Sequence, residues 1–128
     1  MFLKRIHHVA VIVSDYERSK DFYVRVLGLT PVGEVYREER DSYKLDLAVN
    51  GEYQIELFSF PDPAGRPNYP EAAGLRHLAF EVDSVEDTLS HLKTNGVEVE
   101  PVRVDPVTEK KYTFFKDPDG LPIELYEG

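Results

Sequence analysis

A chain of 128 residues with a formal net charge of −9 and a pI near 4.9 presents an anionic surface, which speaks against nucleic acid and anionic membranes as partners. It has no cysteine, so disulfides, thiolate nucleophiles and cysteine-type zinc sites are excluded together. Hydrophobic residues make up 41%, the opening MFLKR has no apolar signal core, and no apolar run reaches membrane-spanning length; a cytoplasmic location is expected.

The length fits one domain, or two paired half-domains too small to stand alone. Residues 5–13 alternate around valines and predict a strand, with His8, Ala10 and Ile12 on one face and His7, Val9, Val11 and Val13 on the other. Ser14-Asp15 offers a helix cap. Residues 16–27 place Ser19, Phe22, Tyr23, Val26 and Leu27 at helical spacings, and Gly28 is a natural stop. Two strands follow, 29–40 and 43–49, joined by a polar corner at 38–42. Its acidic residues with Arg37 and Arg40 read as a solvated corner where an arginine could hold a substrate carboxylate. The stretch 51–60, GEYQIELFSF, is a strand between Asn50-Gly51 and Pro61-Asp62-Pro63, and it carries Glu56 between Ile55 and Leu57.

Residues 61–74 hold four prolines and two glycines, too many for a helix or an inner strand, and predict a linker. A second pass of the same plan comes next. Residues 75–82 form a strand, and Ser84 caps a helix through Val85, Leu89 and Leu92 that stops at Asn95-Gly96. Strands are expected at 97–104 and 111–116. The turn DPDG at 117–120 leads into the last strand, 121–126, which carries Glu124.

The two passes are copies of one unit. QIELF around Glu56 returns as PIELY around Glu124, and HHVAVIV around His8 returns as RHLAFEV around His77. Glu56 lies 48 positions after His8, and Glu124 lies 47 after His77. A repeat of this kind organises a whole chain. It yields a first module at about 1–60, the linker 61–74 and a second module at about 75–128, each a strand, a helix and three strands. Any one of His8, Glu56, His77 and Glu124, taken singly, reads as an ordinary strand residue. As a repeated set they read as ligands of a divalent ion, since imidazole and carboxylate suit Zn²⁺, Ni²⁺, Fe²⁺ or Mn²⁺. Four such ligands leave positions for water or substrate oxygens, so the site would be catalytic. His7, on the opposite strand face, is expected to be structural, and His91, on the polar side of the second helix, to be solvated.

HHVAVIV with His8, the segment SKDFYVRVLGL, IEL with Glu56, GLRHLAFEV with His77 and DPDGLPIEL with Glu124 resemble the glyoxalase I (lactoylglutathione lyase-like) family of the vicinal-oxygen-chelate superfamily. The resemblance covers nearly the whole chain. It implies an α+β fold of two paired βαβββ modules forming an open, cup-shaped mixed sheet around one metal ion, Ni²⁺ or Zn²⁺. It also implies a homodimer whose site draws on one or two chains. In the family a hemithioacetal of methylglyoxal and glutathione is isomerised, the metal stabilising an enediolate while a glutamate moves the proton. By motif match Glu124 and Glu56 are the candidate bases. Residues 61–74 and 36–43 are where substrate choice is expected to be written, and no arginine set matches the family's glutathione-carboxylate contacts.

Rival readings on this scaffold are an epimerase, a ring-cleaving dioxygenase and a metal-free module that sequesters a small molecule, as bleomycin-resistance proteins do. The dioxygenase plan uses two histidines and one carboxylate, and the epimerase plan resembles the present one with Gln in place of Glu56. The metal-free binders lack the ligand set. All four residues together therefore favour the lyase.

Overall fold

The structure, a computed structural model, describes all 128 residues. The elements are β1 (Val9–Val13), α1 (Tyr16–Asp21), β2 (Thr30–Arg37), β3 (Ser42–Val49), β4 (Glu52–Ser59), β5 (Leu78–Val82), α2 (Val85–Thr94), β6 (Arg103–Val104), β7 (Lys111–Lys116) and β8 (Pro122–Glu127). They divide into two compact units, Met1–Ala64 and Gly65–Gly128. Each unit holds one open, mixed, four-stranded sheet. The strand orders, β1-β4-β3-β2 and β5-β8-β7-β6, are the same path traced twice, and the fold class is α+β as expected.

In the first unit β1 runs parallel to β4, while β3 is antiparallel to both β4 and β2. Val11, Val13, Leu45, Leu47, Ile55 and Leu57 share one face and are buried, each contributing roughly 1.5–3 kcal/mol by leaving water. The helix covers this face with Tyr16, Ser19, Phe22, Tyr23 and Val26. Asp15 caps it by accepting from the Arg18 amide at 3.2 Å. After Asp21 the helix widens into a π-helical turn over Phe22–Val26, with the Leu27 amide reaching back to the Phe22 carbonyl at 2.9 Å. The chain then reverses at Gly28, whose φ of +79° suits a residue without Cβ. The polar corner is a short 3₁₀ turn, Glu38–Arg40, followed by Asp41 in the left-handed region.

The second unit repeats the logic with shorter pieces. Ser84 Oγ accepts from the Asp87 amide at 3.1 Å to cap α2, and Val85 and Leu92 seat that helix over Phe115, Ile123 and Leu125, all buried. Asp117 Oδ1 accepts from the amides of Asp119 and Leu121, both at 2.9 Å, which sets the turn into β8.

The boundaries differ from the sequence reading in three places. Neither opening strand includes its histidine: β1 starts at Val9 and β5 at Leu78. Opposite His8 the partner strand bulges, since β3 pairs Leu47 with Ile55 and Ala48 with Tyr53 and leaves Gln54 extra. Opposite His77 the partner would be Pro122, one before Ile123 in the register, and proline has no amide to extend a ladder. The third difference is at 97–104. Only Arg103–Val104 and a single bridge from Val99 to Phe115 pair there, because Pro101 interrupts the run. Residues 61–74 contain no regular element, as their prolines predict.

Candidate functional site

Glu56 sits on β4, the strand between β1 and β3, with Ala10 on one side and Asp46 on the other. Residues opposite one another across a ladder share a face. Glu56 therefore lies on the face of Ala10, Asp46 and Lys44, away from the helix. Its side chain is only 7% exposed, a costly place for a carboxylate without partners. His8 Nε2 approaches Oε2 at 3.5 Å, and Lys44 Nζ lies 3.7 Å from the same oxygen while bonding Asp46 Oδ1 at 2.7 Å. The hydrogen bond to Asp46 is the main cause that holds the Lys44 ammonium above its usual pKa. His8 stacks on Tyr53 with centroids 5.9 Å apart.

Glu124 occupies the matching place on β8, between Ala79 and Phe114. His77 Nε2 meets its Oε1 at 3.0 Å, and the His77 ring stands edge-on to Phe114 at 5.1 Å. Arg76 Nη1 lies 3.4 Å from His77 Nδ1.

The four residues named from sequence thus come together as two pairs, His8 with Glu56 and His77 with Glu124, each inside its own unit. Each pair offers one imidazole nitrogen and one carboxylate oxygen, donor types that fit a borderline divalent ion such as Ni²⁺ or Zn²⁺. No group of three or more His, Asp or Glu gathers into a metal cluster. His91 is exposed on α2, as expected. His7 is not set apart from His8. Its Nδ1 is 2.9 Å from His8 Nδ1 and its ring is edge-on to Tyr53 at 5.6 Å, because strand alternation begins only at Val9. Lys44 and Asp46 are neighbours of Glu56 that the repeat does not single out. Their signal was the i, i+2 spacing of two charges in a strand beside the one carrying Glu56.

In the polar corner Arg37 does not simply face solvent. Its guanidinium lies 4.9 Å from the Phe58 ring and 5.8 Å from that of Phe60, and Nη2 donates to Ser42 Oγ at 3.0 Å. Arg40 lies 5.1 Å from the Phe60 ring.

Residues 5–125 match the family model of the glyoxalase/bleomycin resistance protein/dioxygenase superfamily. The chain is 62% identical over 127 residues to the uncharacterized protein YwkD of Bacillus subtilis, covering 99% of each chain. It is 30% identical over 130 residues to a lactoylglutathione lyase of Escherichia coli O157:H7, covering 96% of this chain and 92% of that one. Among solved structures, the glyoxalase family protein from Enterococcus faecalis superposes with a TM-score of 0.90 at 50% identity, covering 99% and 100% of the two chains. With the doubled strand order and the two His–Glu pairs, these likenesses place the chain in the glyoxalase/bleomycin resistance protein/dioxygenase, or vicinal-oxygen-chelate, superfamily.

Proposed function

We propose that the chain is a metal-dependent lyase or isomerase of the glyoxalase I type, acting on an α-oxoaldehyde–thiol adduct, with His8, Glu56, His77 and Glu124 as ligands of one Ni²⁺ or Zn²⁺ ion. The observation that carries this reading is the doubled His–carboxylate pair at matching register. Glu56 and Glu124 each stand between an alanine of the opening strand and a residue of the third strand, and each meets the histidine just before the opening strand. Two independent strand residues would have no reason to repeat all of this. The 30% identity to a lactoylglutathione lyase supports the same chemistry.

A bound divalent ion would supply Lewis acidity toward two neighbouring substrate oxygens. Glu124 takes the proton from one carbon and returns it to the next. Its Oε1 meets His77 Nε2 alone, so the other carboxylate oxygen is left for the proton. Glu56 is the second candidate base. Its surroundings, with Lys44 and Asp46 alongside, suit it better to holding the ion. The active form is proposed to be a cytoplasmic homodimer with a small-molecule substrate.

The test is metal content of the purified protein, then calorimetric titration of chelator-stripped protein with Ni²⁺ and Zn²⁺. One tight ion per chain is expected, lost in His8→Ala and in Glu124→Ala, with turnover of methylglyoxal plus glutathione or another thiol. Failure of the wild-type chain to bind either ion tightly would overturn the proposal.

A further inference from the structure

The second unit has a cavity of about 540 Å³ that opens beside His77 and Phe114, a volume suited to a small organic ligand. Its charge is unusual for this chain. Four lining residues are cations, Arg66, Arg76, Arg103 and Lys116, and two are carboxylates, Glu71 and Glu100, whereas the whole chain carries −9.

Two of the cations are neutralised locally. Arg76 Nε donates to Glu71 Oε2 at 2.9 Å, and Arg103 Nη2 donates to Glu100 Oε1 at 2.5 Å. The other two are not. Arg66 spends its N–H groups on neutral oxygens: Nε on Asn68 Oδ1 at 2.7 Å, and Nη2 on the carbonyls of Leu75 and Arg76 at 2.8 and 2.9 Å. Asn68 Nδ2 in turn donates to the Gly120 carbonyl at 2.6 Å. These bonds hold the guanidinium still without cancelling its charge, and they leave Nη1 undonated. The ion-paired lysines are Lys20, Lys44 and Lys111, and Lys116 is not among them.

A positioned guanidinium and an unpaired ammonium at one cavity form a receptor for an oxyanion, because the ordering cost of the guanidinium is already met and each contact is charge-assisted. We infer that this cavity takes the anionic end of the substrate, a phosphate monoester or a carboxylate, with Arg66 and Lys116 as its charge partners. Phe114, edge-on to His77, is the apolar wall beside the reacting end. The inference rests on the reading of His77 and Glu124 as reacting residues, and it explains how a strongly anionic protein would hold an anionic substrate. It also separates this substrate's recognition from Arg37 and Arg40, whose guanidinium groups lie against phenylalanine rings.

The test is an NMR titration of the ¹⁵N-labelled full chain with inorganic phosphate, and separately with acetate, at ionic strength held constant with chloride. Saturable shifts of the Arg66 Nε–H and of backbone amides in 66–76 are expected with at least one anion. Saturation by phosphate alone points to a phosphate monoester, and saturation by acetate to a carboxylate. Lys116→Glu should weaken binding at least about tenfold, the loss of one charge-assisted contact, and Lys116→Arg should restore it. The spectrum of each variant reports whether it is folded. Shifts that never saturate, or that Lys116→Glu leaves unaltered, would overturn the inference. Glu124→Gln separates the two proposals. Anion binding should persist in it, so loss of turnover with retained binding speaks to the reaction alone, whereas an active enzyme without saturable anion binding refutes the cavity assignment alone.

Discussion

Glu56 and Glu124 stand at equivalent points of two sheets with the same strand order, yet their neighbours differ. Glu56 is 7% exposed and shares its oxygen with His8 at 3.5 Å and Lys44 at 3.7 Å, with Asp46 on the adjoining strand. Glu124 is 16% exposed, has one polar partner, the His77 imidazole at 3.0 Å, and is walled by Phe114. The places held by Lys44 and Asp46 in the first sheet are taken by Tyr112 and Phe114 in the second. The duplicated backbone plan supplies the positions. The side chains of the third strand decide whether a carboxylate sits in a charge network or in an aromatic niche with a single imidazole. A niche of the second kind leaves the carboxylate available to move a proton, while the network of the first kind holds it in place.

The strongest way to break this contrast is to neutralise each carboxylate in turn. Glu124→Gln should lower kcat by roughly 10²–10⁴, the span of a lost general base, while Glu56→Gln should act mainly by weakening metal affinity. Steady-state kinetics at saturating metal checks this, and equal losses of kcat in both variants would erase the distinction. Next in size is Lys44→Met, which leaves Asp46 and Glu56 facing each other without their cation. It should destabilise by about 1–2 kcal/mol, the scale of a hydrogen bond to a charged group, read by urea denaturation. No position in the second sheet should respond in the same way, since Tyr112 carries no charge there.

The helix caps should be more alike. Asp15→Ala and Ser84→Ala remove corresponding bonds to the amides of Arg18 and Asp87, and each should cost about 1 kcal/mol in thermal or urea unfolding. A large inequality would show that the π-helical turn after α1 makes the first helix depend less on its cap. The smallest effect is expected at Glu34. Its carboxyl is held below the usual carboxylate range by the Lys20 ammonium first and by the Tyr16 hydroxyl second. A carboxylate with a lowered folded value stabilises the fold at pH above its unfolded value, and that contribution disappears as pH falls through the folded value. Its side chain is 40% exposed, so solvent screening reduces the contribution to a few tenths of a kcal/mol. Glu34→Gln should flatten the acid limb of stability by about that amount. In the second unit Lys111 likewise lowers the Glu86 carboxyl, from an exposed position.

Much of this was legible along the chain because local chemistry dictates it. Asp15 and Ser84 are capping residues before helical periodicities, Gly28 closes the first helix, and Asp117-Pro118-Asp119-Gly120 builds its own turn. The spacing of His8 with Glu56 and of His77 with Glu124 named the two pairs that the fold brings into contact, since a strand, a helix and three strands of fixed lengths return the chain to the same neighbour. Tertiary pairing alone decided the rest. The bulge at Gln54 and the proline at position 122 end the ladders one residue short of each histidine, and that frees His7 to lie against His8. Pro101 reduces the sixth strand to a fragment. Lys44, Asp46 and Phe114 became neighbours of the carboxylates only through strand register, which a one-residue slip would have reversed. The unpaired charges of Arg66 and Lys116 likewise depend on which carbonyls and carboxylates the folded loop happens to bring near, information that no short stretch of sequence contains.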